Sequence, residues 1–539
     1  MASISRYWHT IRHLKFRQIA ARAQFRFLRP SVDARPHPEF APSTGPWAEP
    51  IKKPRSLLTA TSAHVLGETR DISAPGAWND PAAPKLWLYN LHYFDDLSGP
   101  VSAEHRALHR AFINRWVAEN PPAQGNGWEP YPTSLRIVNC VKWWRGRGYL
   151  PESGRQSLAV QARWLAKRIE WHLMANHLFV NGKALVHAGL VYEGPEADGF
   201  LAQGLAILAR EIPEQVLADG GHFELSPMYH AIILEDLLDL VNAARAWPGR
   251  ISPATIEQWI VVAKSMLRWL EAMTHPDGGP SFFNDAALGI APTLLELRDF
   301  AARLSIAVPP TSASLRHLVQ SGYVRAHLGP ADLLCDLAAV GPDYQPGHAH
   351  ADTLSFELSL FGDRVAVNTG TSTYAAGTLR TLERSTHAHN TLEIDGCDSS
   401  EVWGGFRVAR RARVFDAVAV SDGSTTTISG SHDGYARFPG KPIHRRRWVL
   451  TENSLEVTDE IDGRFTSAIS RIHFHPSVVR DGADAVRLPS GARLSFAAHG
   501  GAMTLGPSSW HGAFGASEAN LCLTLVANGP KSTIVMRWA

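Results

Sequence analysis

Gly347-His348-Ala349-His350-Ala351-Asp352 runs into an alternating stretch at 353–360, and Thr386-His387-Ala388-His389-Asn390 runs into another at 391–394. Alternation of polar and apolar residues is the pattern of a half-buried β-strand. If each pair lies in a strand, its two histidines project from one face, so four imidazoles would line one wall. Imidazole exchanges protons near neutral pH and is the commonest metal ligand. In a chain with 25 histidines the pairs can equally be ordinary strand or turn residues. Further short β-branched segments bounded by Gly, Asp or Asn follow the same pattern, at 323–327, 364–368, 425–429, 446–451, 454–458 and 522–526. They predict stacked antiparallel sheets over residues 311–539.

Upstream the period changes. Apolar residues recur at helical spacing over 104–117, 154–173, 183–192, 200–211, 230–246 and 253–273, in blocks separated by Gly, Pro and Asn. Successive helices with short connections predict an all-α array of hairpins over residues 86–310, closed as a solenoid or a toroid. Residues 31–85 are rich in Pro, Ala and Ser and read as an extended connector. The first thirty residues hold seven cations (Arg6, Arg12, Lys15, Arg17, Arg22, Arg26, Arg29), with no acid before Asp33. Tyr7, Trp8, Ile11, Leu14 and Ile19 recur among them at helical spacing, which favours a basic amphipathic helix packed on the body over a targeting segment or a membrane-surface helix. The fold class expected is multidomain α + β, in three segments, 1–85, 86–310 and 311–539. The cleft between the two large segments is the default ligand site.

With 539 residues, 45% hydrophobic and 19% charged, the chain has the composition of an ordinary globular protein. A net charge of +2 gives no overall pull toward nucleic acid or membrane, so a polyanionic substrate must be attracted by local clusters. Cys140, Cys335, Cys397 and Cys522 are scattered without metal-type spacing. No uncharged apolar run approaches the roughly 20 residues of a membrane span, and there is no secretory h-region. The expected location is cytoplasmic, or periplasmic or secreted if a leader has been removed. Oligomeric state is not legible.

Several loops of the helical half carry more chemistry than connectors need. Asn126-Gly127-Trp128-Glu129-Pro130-Tyr131-Pro132 leads into a helix bearing Arg136 and Asn139. An arginine beside aromatics suits a carboxylate or sulfate, and a helix start with packed aromatics is the alternative. Asn176-His177 and Asn181 precede the helix from Lys183, which either asparagine can cap. Residues 219–230 run from a Gly-rich turn through Glu224 into Tyr229-His230, a phenol beside an imidazole. A fourth loop, Asp277-Gly278-Gly279-Pro280 with Phe283-Asn284-Asp285, reads as a structural turn.

Asn176-His177, Ser226-Pro227-Met228-Tyr229-His230, Gly347 to Asp352 with Ser355-Phe356, and Ser385 to Thr391 with Asp395-Gly396 together resemble the heparinase II/III-like polysaccharide lyases, in the family's order and over most of the chain. The resemblance implies an N-terminal incomplete (α/α) toroid followed by a C-terminal antiparallel β-sandwich. It also implies β-elimination at a uronic acid of an acidic polysaccharide or oligosaccharide. Asn176 matches the asparagine that neutralises the uronate, with His177 beside it. Tyr229 matches the tyrosine that donates to the leaving oxygen and in one stereochemical course also removes the proton. His348 matches the histidine that is the base in the other course. The family's metal site falls on His350, Asn368 and His389, where one structural divalent ion, zinc by preference, is expected. Asn368 stands where the family usually has Asp, and an amide binds zinc less well than a carboxylate.

Side-chain chemistry adds Arg136, Trp128, His230, Arg384 and Arg407 as candidate substrate contacts, together with Arg380, Arg410, Arg411 and Trp403. Two rival functions remain. One is a glycoside hydrolase using Glu224, Asp219 or Asp285 as paired carboxylates. The other is a binding or assembly protein that keeps the fold without turnover, for which Asn368 is the argument.

Overall fold

The computed structural model describes residues 4–99, 102–147 and 149–539. Two helices open the chain, α1 (Ile4–Ile11) and α2 (Phe16–Phe27). The connector that follows is more structured than its composition predicts, because residues 57–71 form a three-stranded antiparallel meander. Leu66 and Gly67, both at positive φ, make the tight turn between Val65 and Glu68. Leu57, Ala63 and Val65 then bury against the main core.

The helical body runs through α3 (Lys85–Tyr93), α4 (Ala103–Glu119), α5 (Pro130–Arg147), α6 (Glu152–Lys167), α7 (Ala175–Val191), α8 (Pro195–Gln215), α9 (Pro227–Ala246), α10 (Pro253–Ala272) and α11 (Leu294–Arg303). Each packs on its neighbours in turn, α5 on α6 and α7, α7 on α8 and α9, and α9 on α10 and α11, in an incomplete (α/α) toroid. Helix α7 lies buried along its length at the centre. Its approach to α8 depends on missing side chains. A Cβ on Gly189 would sit 2.5 Å from the backbone nitrogen of Leu201, and one on Gly204 would sit 2.7 Å from the carbonyl of Gly182.

Buried lysines of α5 and α7 meet aspartates of α9. Lys183 Nζ donates to Asp236 at 2.5 Å and to Asp239 at 2.8 Å, and Lys142 Nζ reaches Asp239 at 2.9 Å. Two lysines and two aspartates thus cancel inside the toroid, where an uncompensated charge would be costly.

After α11 the chain becomes β. A five-stranded antiparallel meander (Leu315–Leu318, Tyr323–Leu328, Ala331–Asp336, Phe356–Leu360 and Asp363–Ala366) is the sheet nearest the toroid. An eight-stranded and a four-stranded antiparallel sheet complete a sandwich around Leu358, Trp448, Leu525 and Met536. One further helix, α12 (Thr378–Arg384), is inserted ahead of the second histidine pair.

The histidine pairs themselves are not in strands. Residues 347–355 form a loop, and Thr386–Ala388 is a single 3₁₀ turn. Only the alternating tails are β, from Phe356 and Leu392 onward. His387 is exposed, so three of the four imidazoles converge rather than four.

Replacing Lys183 with Met leaves Asp236 and Asp239 short of a buried cation. Chemical unfolding is expected to show a loss of about 3–5 kcal/mol, far beyond that of an exposed lysine change such as Lys52→Met.

Candidate active site

The loop between α10 and α11 crosses from the toroid to the sandwich, and Asp285 at its centre organises the seam. Arg380 Nη2 donates to Asp285 Oδ2 at 2.7 Å while Nη1 holds Oδ1. His350 Nε2 lies 2.8 Å from Oδ1, Thr371 donates to Oδ1 at 3.2 Å, and His348 Nδ1 lies 2.9 Å from Oδ2. Burial favours the neutral acid, yet the Arg380 guanidinium and the two imidazoles hold the Asp285 carboxyl well below the usual carboxylate range. Backbone contacts fasten the same loop. Asp285 N donates to His348 O at 3.0 Å, His350 N to Asn284 Oδ1 at 3.1 Å, and Asn284 N to Asp352 at 2.9 Å. Asn284, Leu225 and Leu354 all have positive φ, a concentration of backbone strain typical of functional sites.

An ionised carboxylate on Nδ1 assigns the His348 proton to that nitrogen and leaves Nε2 as the basic one. Nε2 points toward Glu224 Oε2, 3.5 Å away and beyond a good hydrogen bond. The His348 ring stacks on Tyr229, with centroids 3.8 Å apart and planes at 28°. Tyr229 is held at the first turn of α9, whose Ser226 cap accepts from Tyr229 N at 3.2 Å. Its hydroxyl meets that of Tyr374 at 3.0 Å. Burial, with Tyr374 and Asp285 nearby, pushes the Tyr229 phenol well above its ordinary value, so it rests as a proton donor.

Asn176 and His177 lie in the first turn of α7 and not in a loop ahead of it. Met174 and Ala175, both at positive φ, turn the chain sharply into that helix. Asn176 N donates to Glu224 at 3.3 Å, and among the described residues the Asn176 amide makes no side-chain hydrogen bond. It is therefore available to a ligand. His177 Nδ1 lies 3.1 Å from Glu170, and its ring packs on Tyr131 at 4.5 Å. Burial works against a charged ring, but Glu170 outweighs it and raises the His177 pKa. Asn181 caps nothing. Its amide joins Ser134 and Glu170 and accepts from Glu170 N at 2.9 Å, which fixes the carboxylate that faces His177.

Five expected substrate contacts are structural instead. Arg136 is fully buried and donates to Gln161, His92 O and Gly127 O while its guanidinium stacks on Trp116. Each of its three nitrogens donates inside the protein and the side chain is fully buried, so it does not reach a sugar. Trp128 is buried beside it, and its indole N–H donates to Asn120 O at 3.1 Å. His230 lies under Trp269 with Nε2 on Met266 O at 2.9 Å, and burial lowers its pKa to about 3. Arg384 donates to Ala349 O at 2.8 Å and to Gly404 O, and so clamps the His348 loop from behind. Arg380, read as a substrate contact, is spent on Asp285. Arg407 is exposed, stacked on Trp403 at 4.7 Å, next to Phe406, whose ring lies 6.1 Å from that of His348.

The residues expected to hold zinc meet, but not in a form that suits a closed structural site. His350 Nδ1 faces His389 Nε2 at 3.2 Å, a spacing that two ligands of one ion can have. Asn368 Oδ1 lies at the opposite edge of the His389 ring, 3.1 Å from Nδ1, and also accepts from Asn390 N at 3.2 Å. Its Nδ2, a donor, is buried without a partner among the described residues. The nearest carboxylate, Asp285, is consumed by Arg380. A structural zinc closes four protein ligands, and this set offers two nitrogens.

Sequence reasoning missed Asp285 as the hub and Tyr374 as the partner of Tyr229. The Asn284-Asp285 pair carried a signal, as polar residues beyond what a Gly-Pro turn requires. Tyr374, in a Thr/Ser/Ala stretch, carried none.

A helical toroid sealed onto antiparallel sheets, with an amide, a phenol and an imidazole gathered at the seam, defines the toroid-and-sandwich class of proteins. The chain belongs to the heparinase II/III-like family. Residues 155–302 match the heparinase II/III N-terminal region, and residues 310–539 match the heparinase II/III-like C-terminal region. Two heparin-sulfate lyases, from Bacteroides stercoris and Pedobacter heparinus, are each 24% identical over 41% of this chain. The aligned stretch spans only about a third of those relatives, 35% and 36% of their lengths. A crystal structure of heparinase III superposes with a TM-score of 0.70 at 17% identity, covering 97% of this chain and 90% of that one. At this identity the likeness establishes the fold.

Two outcomes are expected. Glu170→Gln shifts the His177 titration, followed by NMR, to lower pH, because the charge that raises it is removed. Purified protein dialysed against a weak chelator contains well under one zinc per chain by elemental analysis.

Proposed function

We propose that this chain is a polysaccharide lyase that cleaves a uronate-containing acidic glycan, of glycosaminoglycan type, by β-elimination. The observation that carries the reading is the stack of Tyr229 on His348, with His348 backed by the Asp285–Arg380 pair. A phenol that can donate and an imidazole that can accept, side by side, are what the elimination needs.

The steps follow from the groups available. The uronate carboxylate accepts from the free amide of Asn176, with His177 beside it, whose charged form Glu170 favours, so charge developing as the C5 proton leaves is neutralised. His348 Nε2 takes that proton. The C5–H electron pair becomes the C4–C5 double bond, the C4–O bond breaks, and the departing oxygen takes the Tyr229 proton. Tyr374 then supports the resulting phenolate through its own hydroxyl. Asp285 stabilises the imidazolium that forms, as a carboxylate behind a catalytic histidine does. Arg407, exposed beside Phe406, is a candidate contact for a flanking uronate or sulfate.

The hydrolase alternative loses Asp285, which is fully buried with both oxygens occupied by Arg380, His348, His350 and Thr371 and so reaches neither a sugar nor a water. Asp219 is tied to Ser321 at 2.7 Å and 2.9 Å. The family, and the heparin-sulfate lyases among the relatives, support a lyase.

The test is a panel of heparan, chondroitin, hyaluronan and alginate polymers followed by ultraviolet absorbance of the unsaturated uronate. New reducing ends without absorbance would overturn the reading. Tyr229→Phe is expected to lower kcat by about 10²–10⁴ with KM little changed. Asp285→Asn is expected to lower kcat by a comparable factor, because the imidazolium loses its counter-charge.

A further inference from the structure

Helices α1 and α2 have two faces, and only one is used by the body. On the inner face Trp403 donates to Thr10 at 3.1 Å and Arg410 to Ser5 at 2.7 Å, which ties α1 to the sandwich. Gln18 is buried and donates to Tyr344 O. Phe25 lies under the Arg168 guanidinium at 3.5 Å, and Arg17 lies over Trp171 at 3.6 Å, which ties α2 to the toroid. The two helices form a strap across both halves of the protein.

The outer face is apolar as well. Ile4, Trp8 and Ile11 follow one another at i, i+4 and i+7 on α1, and Phe16, Ala20, Ala23 and Phe27 at i, i+4, i+7 and i+11 on α2. These spacings put each set on one side of its helix. Ile4 is 90% exposed, Phe16 83% and Phe27 80%, where a globular surface would ordinarily carry polar residues. The same segment carries the exposed Arg12, Arg22, Arg26 and Arg29, none of which forms an ion pair among the described residues. Residues 4–32 contain no acid at all.

We infer that the α1–α2 strap docks the protein in the plane of an anionic lipid surface. The occupant follows from two complementarities present together. Two exposed apolar helix faces with aromatic residues seek the acyl boundary, and the arginines beside them seek phosphate headgroups. A soluble acidic glycan would satisfy the arginines and leave Ile4, Phe16 and Phe27 in water. A second copy of the chain would satisfy the apolar faces while bringing two sets of unpaired arginines together. This inference does not rest on the lyase reading, because it uses no residue of the cleft.

The full chain is expected to sediment with vesicles of mixed phosphatidylglycerol and phosphatidylcholine and to stay in the supernatant with phosphatidylcholine alone. Each of Arg22→Ala and Arg26→Ala should lower partitioning about fivefold. Phe16→Glu combined with Phe27→Glu should abolish it, with unchanged thermal unfolding and unchanged turnover of soluble glycan. Absence of binding to the anionic vesicles would overturn the inference. So would equal binding to both vesicle types. Two further results would also overturn it: sedimentation equilibrium showing a dimer that Phe16→Glu/Phe27→Glu dissolves, or binding to a soluble polyanion in place of the vesicles.

Discussion

The buried pair of Asp285 and Arg380 is the constraint on which the rest of the site depends. A carboxylate in the seam between two domains costs several kcal/mol to desolvate unless its hydrogen-bonding capacity is filled. Arg380 fills two positions, and His348, His350 and Thr371 fill others, all from the sandwich. Asp285 comes from the toroid side of the chain. The ion pair therefore serves as a domain clamp and as the orienting group of the candidate base. The same contact that closes the cleft gives His348 its tautomer.

The neighbouring buried arginines illustrate a common use of the guanidinium. Arg136 gathers the Gly127 and His92 carbonyls, and Arg384 gathers those of Ala349 and Gly404. In each case the rigid fork supplies several donors to loop carbonyls that have no secondary-structure partner. Burial lowers both pKa values to about 9, which still leaves them charged near neutral pH. They were read as anion contacts because an arginine that binds substrate and one that binds backbone look alike in a linear sequence. Only burial separates them.

The helical and β halves were legible because hydrophobic periodicity reports which face of an element is buried. The change near residue 310 falls between α11, ending at Arg303, and the strand starting at Leu315. The histidine loops were misread because alternation in their tails was extended backward over residues that a 3₁₀ turn and an irregular loop take up. The meander at 57–71 was missed because its strands of three and four residues are too short to show a period. Asn176 was placed before its helix instead of within it, because a helix start at positive φ on Met174 and Ala175 has no sequence signature.

By itself the sequence determined the two-part architecture, through periodicity that depends on residues near one another in the chain, and resemblance to the family singled out Asn176, Tyr229 and His348 as candidates. Only the tertiary structure decided that His348 is backed by Asp285, that Tyr229 pairs with Tyr374, and that Asn368 meets His389 at the ring nitrogen away from His350. Those contacts join residues 21 to 145 positions apart. A linear pattern records which groups are present. The direction of a lone pair or a donor is set when packing fixes both partners in space.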